Sequence, residues 1–280
     1  TSNAFTGALL ITTNDSGSDT AGDVSIHGGT TALVFGNSTI DGDLTLTSTA
    51  TGATGITDTG TLDIRGTTTI SASGVDITLN SAANNFQGAV GIDGSDVILV
   101  DAGTIDLGAS TVTGTYNLTA GGSVTDSGAL AITGVTTIDA SSGNVTLNTA
   151  TNNFQGAVEI DGVNVVVVDA GAIDLGASTV TGTYAVTATA SGDIIDSGVL
   201  AITGAATFTA ANGQSIYLDS ANTFSNTVAF SSGGTLVNVT ISDSNDIDLA
   251  ALTLSGSLNA TSTGGSVTDS GALAITGVTT

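Results

Sequence analysis

Residues 84–90 read NNFQGAV, and the same seven residues return at 152–158, 68 positions later. The copies extend well beyond that heptad: between Asn84–Tyr116 and Asn152–Tyr184, 27 of 33 positions are identical. Related stretches surround Phe5 (NAFTGAL) and Phe224 (NTFSNTV). A second motif, T/I-D-S/T-G, places Asp58, Asp126, Asp196 and Asp269 at intervals of 68, 70 and 73 residues. Gly121–Thr137 and Gly264–Thr280 agree at all 17 positions. Fixed-period self-similarity of this kind marks a repeat architecture.

Each long repeat divides again into short apolar runs broken by Gly, Asp, Asn or Ser, as in DVILVDAGTIDL and VTTIDASSGNVTLNT. Apolar residues alternate within the runs (Ile105/Leu107, Leu130/Ile132, Val145/Leu147), which is the period of a strand with one buried face. Sets of such runs recur at roughly 22 residues, the size of one coil of a β-solenoid. The expected fold is all-β, a parallel β-helix of about 12–13 coils whose strands pair with the coils above and below. Residues 1–280 read as one continuous solenoid segment cut from a longer repeat protein. The chain has no Pro, as stacked internal strands require, because Pro deletes a ladder bond. Its 39 Gly are expected at corners with positive φ. Phe5, Phe86, Phe154 and Phe224, spaced by about three coils, are expected to fill wide spots in a core of small residues. The Asn pairs 84/85 and 152/153 are expected to serve the adjoining turn. A string of immunoglobulin-like sandwiches fits less well, since the period is near 70, no Trp is present and no linker separates the copies.

Acidic residues number 25 against one basic residue, Arg65, for a net charge of −24. That field disfavours nucleic acid and anionic lipid. All the acids except Glu159 are Asp, which suits turns because its short side chain reaches nearby backbone N–H groups. There is no Cys, so disulfides and thiolate metal sites are excluded. No apolar run is long enough to span a bilayer as a helix.

Catalysis finds little support in these residues. The single imidazole, His27, and the single guanidinium, Arg65, recur in no other copy, and Arg65 is expected to pair with a nearby Asp or to lie on the surface. A polysaccharide-cleaving site needs two placed carboxylates and usually a basic group or metal. No catalytic, cofactor-binding or metal residue is therefore assigned, and no enzyme is expected. Weak calcium binding is expected at most at Asp41–Asp43 (DGD) and Ser242–Asp248 (SDSNDID), neither of which has EF-hand spacing. Thr-x-Thr pairs at 45/47, 67/69, 111/113, 179/181 and 187/189 follow the long repeat and not each coil, which argues against an ice-binding array.

Strings such as LTAGGSVTDSGALAITGVTTIDASSGNVTLNTATNNFQGAV, with their T-D-S-G and N-x-F-x-G-A-V motifs, resemble the repeat regions of filamentous-haemagglutinin-like exoproteins of two-partner secretion. The resemblance covers nearly the whole chain. It implies a right-handed parallel β-helix, export to the cell surface or beyond, and a role in adhesion or as a stalk. The function expected is the shaft of a secreted bacterial surface protein or extracellular filament. Its partners would be neighbouring solenoid segments, other copies, or a host glycan or protein. The alternative is a carbohydrate- or calcium-binding solenoid module.

Overall fold

The computed structural model describes residues 3–14, 22–50 and 55–280. It contains strands, turns and no helix among those residues, and it is a parallel β-solenoid of about 12 turns with about 21 residues per coil. Two compact units divide the chain, Thr1–Gly143 and Asn144–Thr280.

In the first unit one wall is a ladder of Leu33–Phe35, Ile56–Asp58, Ile77–Leu79, Val97–Asp101, Tyr116–Ala120 and Thr136–Ala140, every step parallel. The partner wall runs Val24–His27, Leu44–Thr47, Thr68–Ser71, Val90–Gly94, Ile105–Leu107 and Val124–Asp126. In the second unit one wall stacks Val145–Leu147, Val165–Asp169, Tyr184–Ala188, Ala206–Ala210, Val228–Ser232, Ile247–Leu249 and Val267–Asp269. The other stacks Val158–Gly162, Ile173–Leu175, Ile194–Asp196, Ile216–Phe224, Val239–Asp243 and Leu258–Ser262. Parallel sheets are ordinarily covered on both faces. Here most strands bury one face and wet the other, so alternation survives: Val97, Leu99 and Asp101 point inward while Ile98 and Val100 do not. Leu, Ile and Val at almost complete burial fill the interior, each worth about 1.5–3 kcal/mol.

Each coil has a one-strand side and a two-strand side. Val97–Asp101 is a single run, whereas Ile105–Leu107 and Ser110–Val112 share the next side. The sides change walls after each Phe motif. Val90–Gly94 lies on Thr68–Ser71 and pairs onward with both members of a two-strand side, through Val90↔Leu107 and Asp93↔Thr111. Val97–Asp101, which follows it directly, lies on the short Ile77–Leu79 and pairs onward with the long Tyr116–Ala120. The second unit repeats this twice. Val158–Gly162 leads to Ile173–Leu175 and Ser178–Val180, while Val165–Asp169 leads to Tyr184–Ala188. Val228–Ser232 meets Ile247–Leu249, while Val239–Asp243 meets Leu258–Ser262.

The consequence is a corrected repeat length. From Val158 the ladder climbs one wall through Leu175 and Ile194–Asp196 to Ile216, three coils, and the chain then crosses to the other wall at Val228. The long repeat is three and a half coils, not three. Within the second unit the runs that follow the Phe154 and Phe224 motifs, Val158–Gly162 and Val228–Ser232, therefore lie on opposite walls.

Glycine also plays a different part from the one expected. Among the described residues, positive φ is confined to Gly29, Gly74, Gly192 and Gly213. The corner glycines Gly66 and Gly88 instead stack in a column in which a Cβ on Gly88 would strike the carbonyl oxygen of Gly66. Coils separated by one strand spacing, about 4.8 Å, leave no room for a side chain over a corner that turns inward.

Candidate functional site

The Phe motif and the T-D-S-G motif meet in one buried polar cluster. Phe86 is 1% exposed, and its N–H donates to Asp101 Oδ2 at 2.7 Å, while Asp101 Oδ1 accepts Gly103 N–H at 2.7 Å. Two residues before the Phe, Asn84 donates its amide to Asp58 Oδ2 at 2.6 Å and accepts Leu62 N–H at 2.8 Å. Asp58 also receives the N–H groups of Asn80 and Ser81. The same set closes around Phe224. Asn222 donates to Asp196 Oδ2 at 2.7 Å and accepts Leu200 N–H at 2.8 Å, and Phe224 N–H donates to Asp243 Oδ2 at 2.9 Å. At Phe154 the cap is Asp169 Oδ2, at 2.7 Å from Phe154 N.

Burial pushes Asp101, Asp169, Asp196 and Asp243 above the usual carboxylate range, and the hydrogen bonds they accept pull part of the way back. A buried acid of this kind is stable only while its donors stay in place, so each corner is specified by hydrogen bonds as well as by packing. The Phe side chains are fillers, as expected: Phe86, Phe154 and Phe224 are buried and form no exposed stripe, while Phe5 is half-buried. The capping acids Asp101, Asp169 and Asp243 were missed by sequence reasoning, although strand parity identifies them. Val97, Leu99 and Asp101 share one parity, as do Val165, Val167 and Asp169.

Most exposed acids cap a turn, but not their own. Asp43 Oδ1 accepts Thr67 N–H, Asp96 Oδ1 accepts Thr115 N–H, and Asp246 Oδ1 accepts Ser266 N–H, each at 2.7 Å and each one coil away. Asn164 and Asn238 do the same for Thr183 and Ser257. Local caps of the expected kind occur as well, at Asp101–Gly103, Asp139–Ser141, Asp169–Gly171 and Asp243–Asn245; the cross-coil caps are the addition, because stacked corners bring the free N–H of the following coil within reach of a short side chain.

Of the remaining candidates, Arg65 pairs with Asp41 at 2.8 Å, and exposed His27 ends the strand Val24–His27. Protein donors engage both acid-rich stretches: Asp41 and Asp43 meet Arg65 and Thr67 N–H, Asp243 caps the Phe224 corner, and Asp248 Oδ2 accepts from Thr227 Oγ1 at 2.7 Å. Among the described residues no group of three or more His, Cys, Asp or Glu is arranged to hold a metal ion. The step where the sides change leaves a surface groove of about 580 Å³ beside the Phe154 corner, with Asn153, Gln155, Asp174, Asp193 and Ile195 in its lining. Ile195 is 42% exposed there. The groove offers two carboxylates, two amides and one aliphatic patch, a set suited to hydrogen bonding.

No curated protein and no solved structure matches the chain. The profile of a family described as "Repeats of unknown function (DUF5649)" matches residues 21–93, 94–161, 162–231 and 237–280. The joints between these matches, at Asp93/Gly94 and Asp161/Gly162 and after Ser231, fall where the one-strand and two-strand sides change walls. The chain belongs to this family of repeats of unknown function, and one family unit is the block from one change of sides to the next.

Proposed function

We propose that the protein is a structural segment without catalytic activity, the shaft of a secreted adhesive surface protein or extracellular filament. The observation that supports this most directly is the recurrence of the same buried Asp–Asn–Phe–Asp corner at Phe86 and Phe224, with the Phe N–H capped in the same way at Phe154. A solenoid built this way lengthens by duplication without a new core, since each coil contacts only its neighbours. The near-identity of 84–116 and 152–184 is what such duplication leaves behind. The single Arg engaged with Asp41 and the single exposed His agree with a role that needs no proton transfer.

Insertion of one additional family unit tests the reading. Three and a half coils should lengthen the particle by about 17 Å in small-angle scattering at unchanged cross-section. A particle that thickens or collapses contradicts a shaft, as does hydrolysis of any polysaccharide by the purified chain. A second reading, a glycan-binding module, is favoured by the groove beside Phe154. Saturable binding on a glycan array that Asp174→Asn or Asp193→Asn abolishes would select it over the first.

A further inference from the structure

Asn212 is the one asparagine in the sequence followed by glycine. The pair lies at an exposed corner of the second unit, between Ala206–Ala210 and Ile216–Phe224. Gly213 has φ +78°, and a Cβ added there would meet no atom within 4 Å. An unhindered glycine nitrogen beside an Asn side chain is one ring closure from the carboxamide carbon. Loss of the Gly213 amide proton to hydroxide lets that nitrogen attack Asn212 Cγ. The C–N bond to the side-chain nitrogen breaks, ammonia leaves, and a five-membered succinimide forms. Water then opens either ring carbonyl, giving aspartate or β-linked isoaspartate. Nothing is oxidised or reduced.

The following coil restrains both reacting groups. Gly213 N–H donates to the Thr235 carbonyl oxygen at 2.7 Å, and Asn212 Oδ1 accepts Thr235 N–H at 2.7 Å. With its proton engaged the nitrogen is hard to deprotonate, and with Oδ1 held the carboxamide does not swing toward it. We propose that Asn212–Gly213 is a self-modifying site, with the Thr235 backbone as its latch, and that it converts through the succinimide when the Gly234–Thr235 corner opens. The two products differ in consequence. Aspartate keeps the latch, because carboxylates hold such N–H groups elsewhere on the molecule, as Asp96 holds Thr115 N–H at 2.7 Å. Isoaspartate adds a main-chain carbon to the corner and displaces the acceptor, so it marks the coil irreversibly as one that has opened.

The test incubates the intact chain in mildly alkaline buffer, native and in denaturant, and follows residue 212 by peptide mass mapping with isoaspartate detection. Local opening should limit the native rate to about a tenth of the unfolded rate or less. Gly234→Ala places a Cβ against Asn212 Oδ1 and should bring the native rate close to the unfolded one. Thr235→Pro, which removes the N–H donor, is the second variant should the first fail to fold. Asn212→Asp should melt with the unmodified chain, and the isoaspartate form should melt earlier. Equal rates in native and unfolded chain overturn the proposal, as does absence of conversion in denaturant or a folded Gly234→Ala or Thr235→Pro that converts no faster than wild type.

Discussion

The Phe86 corner of the first unit and the Phe224 corner of the second use the same hydrogen bonds around different fillings. In both, an Asn two residues before the Phe joins an Asp of the preceding coil, and an Asp on the second strand after the Phe caps its N–H. The apolar surroundings diverge. Phe224 belongs to an aromatic group in which Phe208 meets Tyr184, Phe224 and Phe230 at ring-centroid distances of 5.9, 6.1 and 5.8 Å. Phe86 is paired with Ile64 as Phe224 is with Ile202, but among the described residues no other ring meets Phe86. The loop lengths diverge too, since the cap follows the Phe by 15 residues at Asp101 and by 19 at Asp243. Core volume and loop length are thus free to drift between units, while the polar set is held. Only that set positions the crossing chain, because an unpaired buried carboxylate costs more than an imperfectly filled volume.

The largest effect should come from removing the rings. Phe86→Ala and Phe224→Ala should each destabilise by about 3–5 kcal/mol in denaturant titrations. The Phe224 change should exceed the other by about 0.5–1.5 kcal/mol, for the edge-on contact it loses. Equal losses at the two corners would mean that the aromatic group adds nothing beyond volume. Next, Asn84→Ala and Asn222→Ala each strip a donor from a buried aspartate and should cost about 1–3 kcal/mol. These two losses should agree with each other, and a clear inequality breaks the claim that the polar set is shared. Smaller still, Tyr116 is buried with a hydroxyl that finds no partner, so Tyr116→Phe should stabilise by about 1 kcal/mol.

The effect of pH should be the smallest per group and shared by both units. Asp101, Asp169, Asp196 and Asp243 have raised values when folded, so the folded chain holds protons more tightly than the unfolded one. Their contribution is fully present below the ordinary value of 3.8 and is lost as pH rises through the raised folded values. Relief of the −24 charge acts in the same direction. The melting temperature should rise on mild acidification from neutral pH; a fall would show the buried acids to be held below their ordinary range.

Alternation in runs such as Ile105/Leu107 placed the strands, and the lack of Pro placed them inside a stack. The burial of Phe86, Phe154 and Phe224 followed from the same pattern. Two features were harder to see. A period of 68 divided by a coil of roughly 22 suggests three coils. The half-coil crossing shows only as two long runs back to back, AVGIDG and SDVILVD, with no short pair between them. The corner acids were read as turn residues because Asp usually is one. The parity that turns Asp101 inward is visible in the sequence, but its donor, Phe86 N–H, is brought near by the stacking of coils and not by sequence proximity.

Spin–spin distances within the second unit test the half-coil step most directly. Asp174 and Thr240 lie on one wall three coils apart, through Ile195 and Tyr217. Asp248 is the counterpart of Asp174 in the next family unit but belongs to the other wall. Nitroxides at 174 and 240 should lie about 14 Å apart, and the 174/248 pair should be clearly longer because it spans the interior. A 174/248 distance equal to or shorter than the 174/240 distance would put successive units in line on one wall and contradict the three-and-a-half-coil repeat.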